Sequence, residues 1–445
     1  MLLIEGGRVV DPQSGLDEPL DILIIDDKIA RLGCGLRDAM GLSPEGRPVP
    51  GVRIVDAKGK IVAPGLVDIH VHLRDPGQEY KEDIESGTRA ACAGGFTSVA
   101  CMPNTDPPID NGGLVRYVKE RARDFGYSNV YVIGCITKGR KGEALAEIGE
   151  MVREGVAAIS DDGSSVRSAE VLRCAMLYAR QFGIPVICHC EDADLSGKGV
   201  MNMGKTATLL GLRGIPAESE EVVVFRDIML SRMTGCHLHV AHVSTKGSVN
   251  IIRKAKEEGL KVTAEVTPHH LCFTEDLVKD LDYHTATKVN PPLRTAEDVE
   301  ALREGLKDGT IDCIASDHAP HAREEKEVEY DYAPFGICGL ETAFGLIWTN
   351  LVQRGVLSVS QAIALMSQRP AHVLGLGKGS LREGGDADIV VIDPDLEWTV
   401  KSSEFHSKGK NTFLDGYRMK GKVVLTVVEG SIRHAEPGFL PFLPW

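Results

Sequence analysis

No pair of Cys-X-X-Cys motifs occurs among the 11 cysteines of this 445-residue chain, and their number is odd. A disulfide framework and a cysteine-ligated zinc site are therefore excluded as organising features. A basic excess is also missing. The formal net charge is -14, which argues against nucleic acid and anionic membrane as partners, since both reward basic patches. No apolar run approaches the ~18 residues of a membrane span. The opening MLLIEGGRVV lacks the basic flank and long apolar core of a signal peptide, so a cytoplasmic protein is expected.

What is present suits a soluble globular protein, with 43% hydrophobic and 26% charged residues. The length exceeds the roughly 250 to 300 residues that one core organises, which predicts a large domain and a smaller one. Residues 1–57 alternate short apolar runs with Gly, Asp and Pro turns, the texture of a small antiparallel sheet. Residues 378–445 repeat it in DADIVVIDPDLEWTV and GKVVLTVVEGSIRH. Both ends are expected to join in one small β-sandwich domain. Residues 58–377 alternate eight β-rich runs with amphipathic stretches such as GGLVRYVKERARDF, SAEVLRCAMLYARQFG and SVNIIRKAKEEG. This alternation predicts an α/β fold, a parallel (β/α)8 TIM-like barrel. A doubly wound open sheet is the runner-up, but no Gly-X-Gly-X-X-Gly turn follows the first strand.

The stretch VDIHVHLRDPG places His70 and His72 two residues apart, on one face of an extended backbone, with Arg74 just beyond. Neutral imidazoles and a guanidinium buried together would each need partners, so ligation is the more economical reading. Further polar residues fall at the C-terminal ends of later strands: Asn104, Asp161 and Asp162, His189, His242, then Asp317, His318 and His321. In a barrel those ends share one mouth, where the active site lies. Four histidines and two or more carboxylates can hold two divalent ions, zinc foremost, with iron or manganese as the alternative pair. Such ions acidify a shared water.

The motifs HVHLRDPG, GGFTSVACMPNT, DDG, HCED, VAHVST, VNPPLR, SDHAPH and APFGICGLET, in that order, resemble those of the bacterial single-function dihydroorotases of the amidohydrolase superfamily. That resemblance implies reversible interconversion of dihydroorotate and N-carbamoyl-L-aspartate in pyrimidine biosynthesis. It implies two Zn2+ per chain: one on His70, His72 and Asp317, a second on His189 and His242, with Asp162 as the bridge. The spacing within the family selects Asp162 over Asp161, and only one of two adjacent strand residues can face the metals. Asp161 is assigned to a turn or a supporting hydrogen bond. Relatives that open hydantoins, dihydrouracil or allantoin usually bridge with a carboxylated lysine, which the aspartate pair here replaces.

On the substrate side, the fork of Arg74 can clamp a carboxylate, with Asn104 and Asn290 adding neutral hydrogen bonds and His321 completing the clamp. The resemblance adds His72 and the backbone of Phe335 and Gly336. In the expected mechanism the bridging hydroxide attacks the ring amide carbon and Asp317 acts as ligand and as general acid/base. Homodimerisation and association with aspartate carbamoyltransferase are the partners the resemblance implies. The alternatives are another cyclic amidase, of hydantoinase or allantoinase type, and a non-catalytic barrel supporting a partner enzyme.

The insertion AREEKEVEYDYAPF, between His321 and Gly336, is read as a lid, its charges Glu324 to Glu329 as a solvated face, and Tyr330 and Tyr332 as anchors. His237 and His239 are read as structural. His269 and His270 are read as groups that orient ligands, and Cys188 and Cys190 as facing helices. MNMGKTA, at 201–207, is assigned to the loop after the fifth strand, not to a phosphate cradle.

Overall fold

The computed structural model describes residues 1–41 and 51–440; residues 42–50 and 441–445 of the two end segments lie outside the described residues. From the N-terminal side come β1 (Leu2–Asp11), β2 (Leu16–Ile25), β3 (Lys28–Gly33), β4 (Arg53–Asp56) and β5 (Ile61–Pro64). β4 and β5 run parallel to β1 one after the other, on either side of a register shift between Ile4 and Gly7. The apolar run 61–73, which reads as one strand, is in fact two. Ile61–Pro64 stays in the end sheet, and the chain turns at Gly65 before β6 (Leu66–Val71) opens the barrel. A Cβ at Gly65 would lie 2.1 Å from the Thr97 hydroxyl, so the handover needs a residue without one.

β7 (Phe96–Cys101), β8 (Asn129–Gly134), β9 (Ala158–Ser160) and β10 (Val186–Cys188) follow β6 side by side. After β10, the two short strands β11 (Met201–Asn202) and β12 (Gly214–Ile215) pair as a ribbon within the connecting loop. This is where MNMGKTA lies, as expected. β13 (Leu238–Val240), β14 (Val262–Val266) and β15 (Cys313–Ile314) complete the set, every pairing parallel. The barrel closes where Val71 bridges His318 and the His72 N–H donates to the His318 carbonyl at 2.9 Å. β6 and β7 are buried along their whole lengths, as strands covered on both sides must be. The helices between strands start and stop on local signals. Ala169–Phe182 begins on the Ser168 hydroxyl and ends at Gly183 with φ 72°, and Ala296–Asp308 begins in a Thr295–Asp298 capping box.

The far end returns as β16 (Ile389–Thr399), β17 (Arg418–Val428) and β18 (Ser431–Ala435), pairing antiparallel outward from β5. The sheet runs β18-β17-β16-β5-β1-β2-β3, with β4 also on β1. Lys28 bridges Asp386, so the edge at β3 folds back to the approach to β16. Ile22, Ile24, Ile29, Val62, Ile389, Val391 and Leu425 then share one core. Both chain ends thus build a second sheet, whose other face packs on the barrel: Val10, Ile61, Ala63, Val390, Ile392 and Val423 share the barrel's core. Replacing Gly65 by alanine is expected to cost about 1–3 kcal/mol or more through the clash with Thr97, seen as a lowered midpoint in chemical denaturation; an unchanged midpoint would contradict the close approach.

Candidate metal centre and active site

β6 ends by presenting His70 and His72, while Asp162 lies two residues past β9 and His189 one past β10. His242 lies two past β13 and Asp317 three past β15. All six are buried, none more than 9% exposed. His70, His72 and Asp162 offer donor atoms within 4.8 Å of one another, and Asp162, His189 and His242 do the same. Asp162 Oδ1 lies 3.4 Å from His70 Nε2, 3.6 Å from His242 Nε2 and 3.9 Å from His189 Nδ1; its Oδ2 lies 3.6 Å from His72 Nε2. Asp317 Oδ1 is 3.1 Å from His72 Nε2 and 3.6 Å from His70 Nε2. Two donors bound to one zinc at about 2.0–2.2 Å lie roughly 3.3–3.6 Å apart when tetrahedral. The spacing fits shared ions.

Two atoms test that fit independently. Asp162 Oδ1 and His70 Nε2 are buried, and neither has a hydrogen-bond partner. Such orphans are costly unless something else occupies the space between them. Burial alone would raise the Asp162 carboxyl, yet the His70 charge and the close approach of the His242 and His70 rings hold it well below the usual carboxylate range. Asp317 is opposed by burial in the same way, and His70 and His72 bring it down to about 2. Both present carboxylates. The backbone is strained here as well: Arg74 (φ 61°), His242 (φ 31°) and Asp317 (φ 48°) are non-glycine residues in left-handed conformations. Each costs roughly 1–3 kcal/mol and re-aims its side chain toward the mouth.

Behind the donors stand groups that the sequence reading did not single out. Glu265, on β14, accepts from His70 Nδ1 at 2.6 Å and from His239 Nε2 at 3.1 Å. This leaves His70 Nε2 as the free face. His239 is therefore structural in a specific sense: it steadies the carboxylate that orients His70. These two and Cys313 also form a close donor set, but Glu265 is already spent on two imidazoles. Glu191 lies 3.0 Å from His189 Nε2 and accepts from Asn290 Nδ2 at 2.9 Å, turning His189 Nδ1 inward and tying a substrate-side asparagine to the same carboxylate. The signal for Glu191 was its place in HCED; none marked Glu265, which sits among apolar neighbours in VTAEV. Asp161 accepts from the Ile136 and Thr137 N–H groups and the Thr137 hydroxyl. It faces away from the donors, as expected.

A cavity of about 220 Å³ opens on the cluster, lined by His72, Arg74, Asn104, Asp162, His189, His242, Asn290, Asp317, His321, Phe335 and Gly336, with Gly163 and Ala319. Every sequence-predicted substrate contact reaches it. Arg74 Nε donates to the Pro320 carbonyl at 3.3 Å, and the guanidinium is only 8% exposed. Among the described residues no carboxylate lies within 4.0 Å of it. Asn104 Oδ1 is 2.8 Å from His72 Nδ1, leaving the amide NH2 for the cavity. Burial and the Arg74 charge push His321 down to about 3, so it contributes a neutral ring, whose Nε2 donates to the Phe335 carbonyl at 2.8 Å. The Gly336 N–H donates to Lys288 and its carbonyl accepts from Asn411. Its N–H is thus engaged, while its carbonyl oxygen keeps a second lone pair for a ligand. What Gly336 supplies is room: with φ 135°, a Cβ there would lie 2.8 Å from Ala319 and 3.2 Å from His321 Nε2.

The expected lid is fastened down. Lys326 Nζ donates to the Thr285 and Pro334 carbonyls, Lys288 Nζ to those of Tyr330 and Asp331, and the Lys288 ammonium sits 4.9 Å from the Phe335 ring. Tyr330 is buried and does anchor the loop, whereas Tyr332 is 79% exposed and does not. The run 324–329 is not uniformly solvated, because Lys326 turns inward to carbonyl acceptors. His270 holds the neighbouring segment through the Pro291 carbonyl at 2.9 Å, next to Asn290. It orients that loop and not a donor. Cys188 and Cys190 pack in the barrel's outer core, with Cys190 3.7 Å from Asp227 of the following helix.

The profile of the family described as dihydro-orotase-like matches residues 59–248, and that of the amidohydrolase family matches residues 239–434. Dihydroorotase from Pelotomaculum thermopropionicum is 55% identical over 431 residues, 97% of this chain and 98% of that protein. Dihydroorotase from Pelobacter propionicus is 53% identical over 431 residues, 97% of this chain and 99% of that protein. Among solved structures, L-hydantoinase (dihydropyrimidinase) from Arthrobacter aurescens superposes with a TM-score of 0.86 at 28% identity, covering 99% of this chain and 97% of that one.

Two outcomes follow from the supporting contacts. Glu265→Gln is expected to keep the fold and lower divalent-metal affinity about 10- to 100-fold in chelator competition; unchanged affinity would remove Glu265 from its supporting role. Burial brings Lys326 down to about 7, against roughly 10.4 in an unfolded chain. Between these values the unfolded state binds the proton that the folded state does not, so stability falls as pH drops from about 10 to 7. The part of this slope due to Lys326 is expected to vanish in Lys326→Met, measured by denaturation across that range.

Proposed function

The chain belongs to the dihydroorotase family of amidohydrolases, and from that premise we propose how the barrel mouth carries out the reaction. It is a cyclic amide hydrolase that interconverts dihydroorotate and N-carbamoyl-L-aspartate in pyrimidine biosynthesis. The observation that ties this reaction to the cavity is Arg74. A buried guanidinium with no carboxylate within 4.0 Å among the described residues has its desolvation offset by a substrate anion, and a fork of N–H groups meets a carboxylate bidentately.

Our reading assigns two divalent ions, zinc foremost, to the donor cluster. His70, His72 and Asp317 would hold one, His189 and His242 the other, with Asp162 between them. The orphaned Asp162 Oδ1 and His70 Nε2 support this. When bound, such a pair brings the pKa of water toward neutrality and polarises an amide carbonyl.

The chain's own residues supply the rest. Arg74 fixes the substrate carboxylate, and the Asn104 and Asn290 amides, held from behind by His72 and Glu191, add neutral hydrogen bonds. His72 faces the substrate as well as the metals, and His321 serves as a neutral partner. Phe335 forms the wall, and Gly336 keeps it open. Asp317 takes the proton from the attacking water as its oxygen adds to the ring amide carbon. The carbon–nitrogen bond then breaks as Asp317 returns the proton to the departing ring nitrogen, which becomes the carbamoyl NH2, and the new carboxyl group releases the second water proton to solvent, leaving a carboxylate. Ring closure runs the same transfers backwards. We read the protein as a cytoplasmic homodimer. Its association with aspartate carbamoyltransferase, which would deliver the acyclic substrate, is testable by co-purification.

The assay compares dihydroorotate, hydantoin and allantoin on metal-quantified enzyme. Dihydroorotate is expected to be turned over far faster than the other two, and a preference for hydantoin would overturn the substrate assignment. Asp317→Asn is expected to lower kcat by about 10²- to 10⁴-fold. Arg74→Lys should mainly raise KM, because a point charge cannot reproduce the fork. Removing the metal with a chelator is expected to abolish turnover, and adding zinc back to restore it.

A further inference from the structure

The helix Glu218–Thr234 carries an apolar stripe on its outer side. Its inner side is already satisfied, with Val223, Val224, Ile228 and Ser231 buried, and it packs between the helices Ala169–Phe182 and Lys246–Glu257. Yet Val222, Phe225, Met229 and Met233 are 47%, 57%, 41% and 69% exposed. Val222, Phe225 and Met229 form with the exposed Glu218 and Arg232 the series 218, 222, 225, 229, 232, and Met233 flanks its end. Steps of four and three residues are the seam spacing of two packed helices. The four apolar side chains present on the order of 400 Å² to solvent, within the range of the largest apolar patch on a typical monomer, which is often a functional one.

The stripe is complementary to itself. Laid antiparallel on a second copy, about a two-fold axis through Phe225, it sets Phe225 against the partner's Phe225 and Val222 beside the partner's Met229. Glu218 then meets the partner's Arg232. A parallel pairing would instead set Glu218 against the partner's Glu218. Arg232 also pairs with Glu258 at 2.6 Å, but both are about half exposed, so that contact contributes little and can be shared. We propose that this helix is the isologous interface of a homodimer, flanked by Leu177 and Phe182 of the neighbouring helix, 38% and 41% exposed. The interface lies on the barrel's side and leaves the mouth open.

This inference rests on the homodimer reading above, and sedimentation equilibrium of the full chain separates the two. The wild type is expected to be a dimer and Phe225→Glu a monomer, with dihydroorotate turnover and circular dichroism retained. Glu218→Arg is expected to weaken association by roughly tenfold, and adding Arg232→Glu to restore it. A monomeric wild type would overturn both the homodimer and its interface. A dimer that survives Phe225→Glu, or a charge exchange that fails to restore association, would overturn this interface and leave the homodimer standing.

Discussion

The Asp162 carboxylate, buried among four imidazoles with one oxygen unpartnered, is the constraint around which the barrel mouth is arranged. A charge removed from water to this depth costs several kcal/mol unless cations or hydrogen bonds surround it. Four strand ends meet that cost together. His70 and His72 come from β6, His189 from β10, His242 from β13, and Asp162 itself from β9. The parallel barrel does this because all its strands end on one side, so short loops suffice to bring distant residues together. Its closure depends on the same stretch, since the His72 N–H that completes the ring belongs to a donor residue.

Around this centre the chain trades local comfort for aim. Left-handed backbone at Arg74, His242 and Asp317 is unfavourable in isolation and persists only where surrounding contacts over-determine it. Here the His242 N–H donates to Glu265, Arg74 Nε to the Pro320 carbonyl, and the Ser316 N–H beside Asp317 to Asp68. Carboxylates also stand behind the imidazoles, Glu265 behind His70 and Glu191 behind His189. Each fixes which ring nitrogen faces inward and keeps the ring from turning. Glu191 also reaches Asn290, so the donor cluster and the substrate wall share one support. The fastened loop extends this economy: Lys288 and Lys326, lacking carboxylate partners among the described residues, spend their N–H groups on carbonyls and hold Phe335 and Gly336 at the cavity.

Hydantoinases share the barrel, so architecture alone does not choose the substrate. The choice lies in what lines 220 Å³ of space. An arginine there favours a ring bearing a carboxylate, and the carboxylate that lies among the imidazoles past β9 is Asp162. Differences between related cyclic amidases are thus carried by a few side chains on a common frame.

By itself the sequence determined the element types and the donor set. Residue spacing along a strand sets which side chains share a face, and strand ends in a parallel barrel converge whatever lies between them. Hence His70, His72, His189, His242 and Asp317 were legible as candidates among the polar strand ends, while the sorting into a donor set, with Asp162 chosen over Asp161, came from the resemblance to dihydroorotases. Only the tertiary structure decided what stands behind them. Glu265 meets His70 across 195 residues of chain, and its neighbours in β14 carry no polar pattern that marks it. The split of residues 61–73 into two strands and the inward turn of Lys326 were likewise set by packing: Thr97 crowds Gly65, and buried carbonyls accept the lysine. Local sequence specifies what a segment can offer, while contacts between distant segments select which offers are taken up.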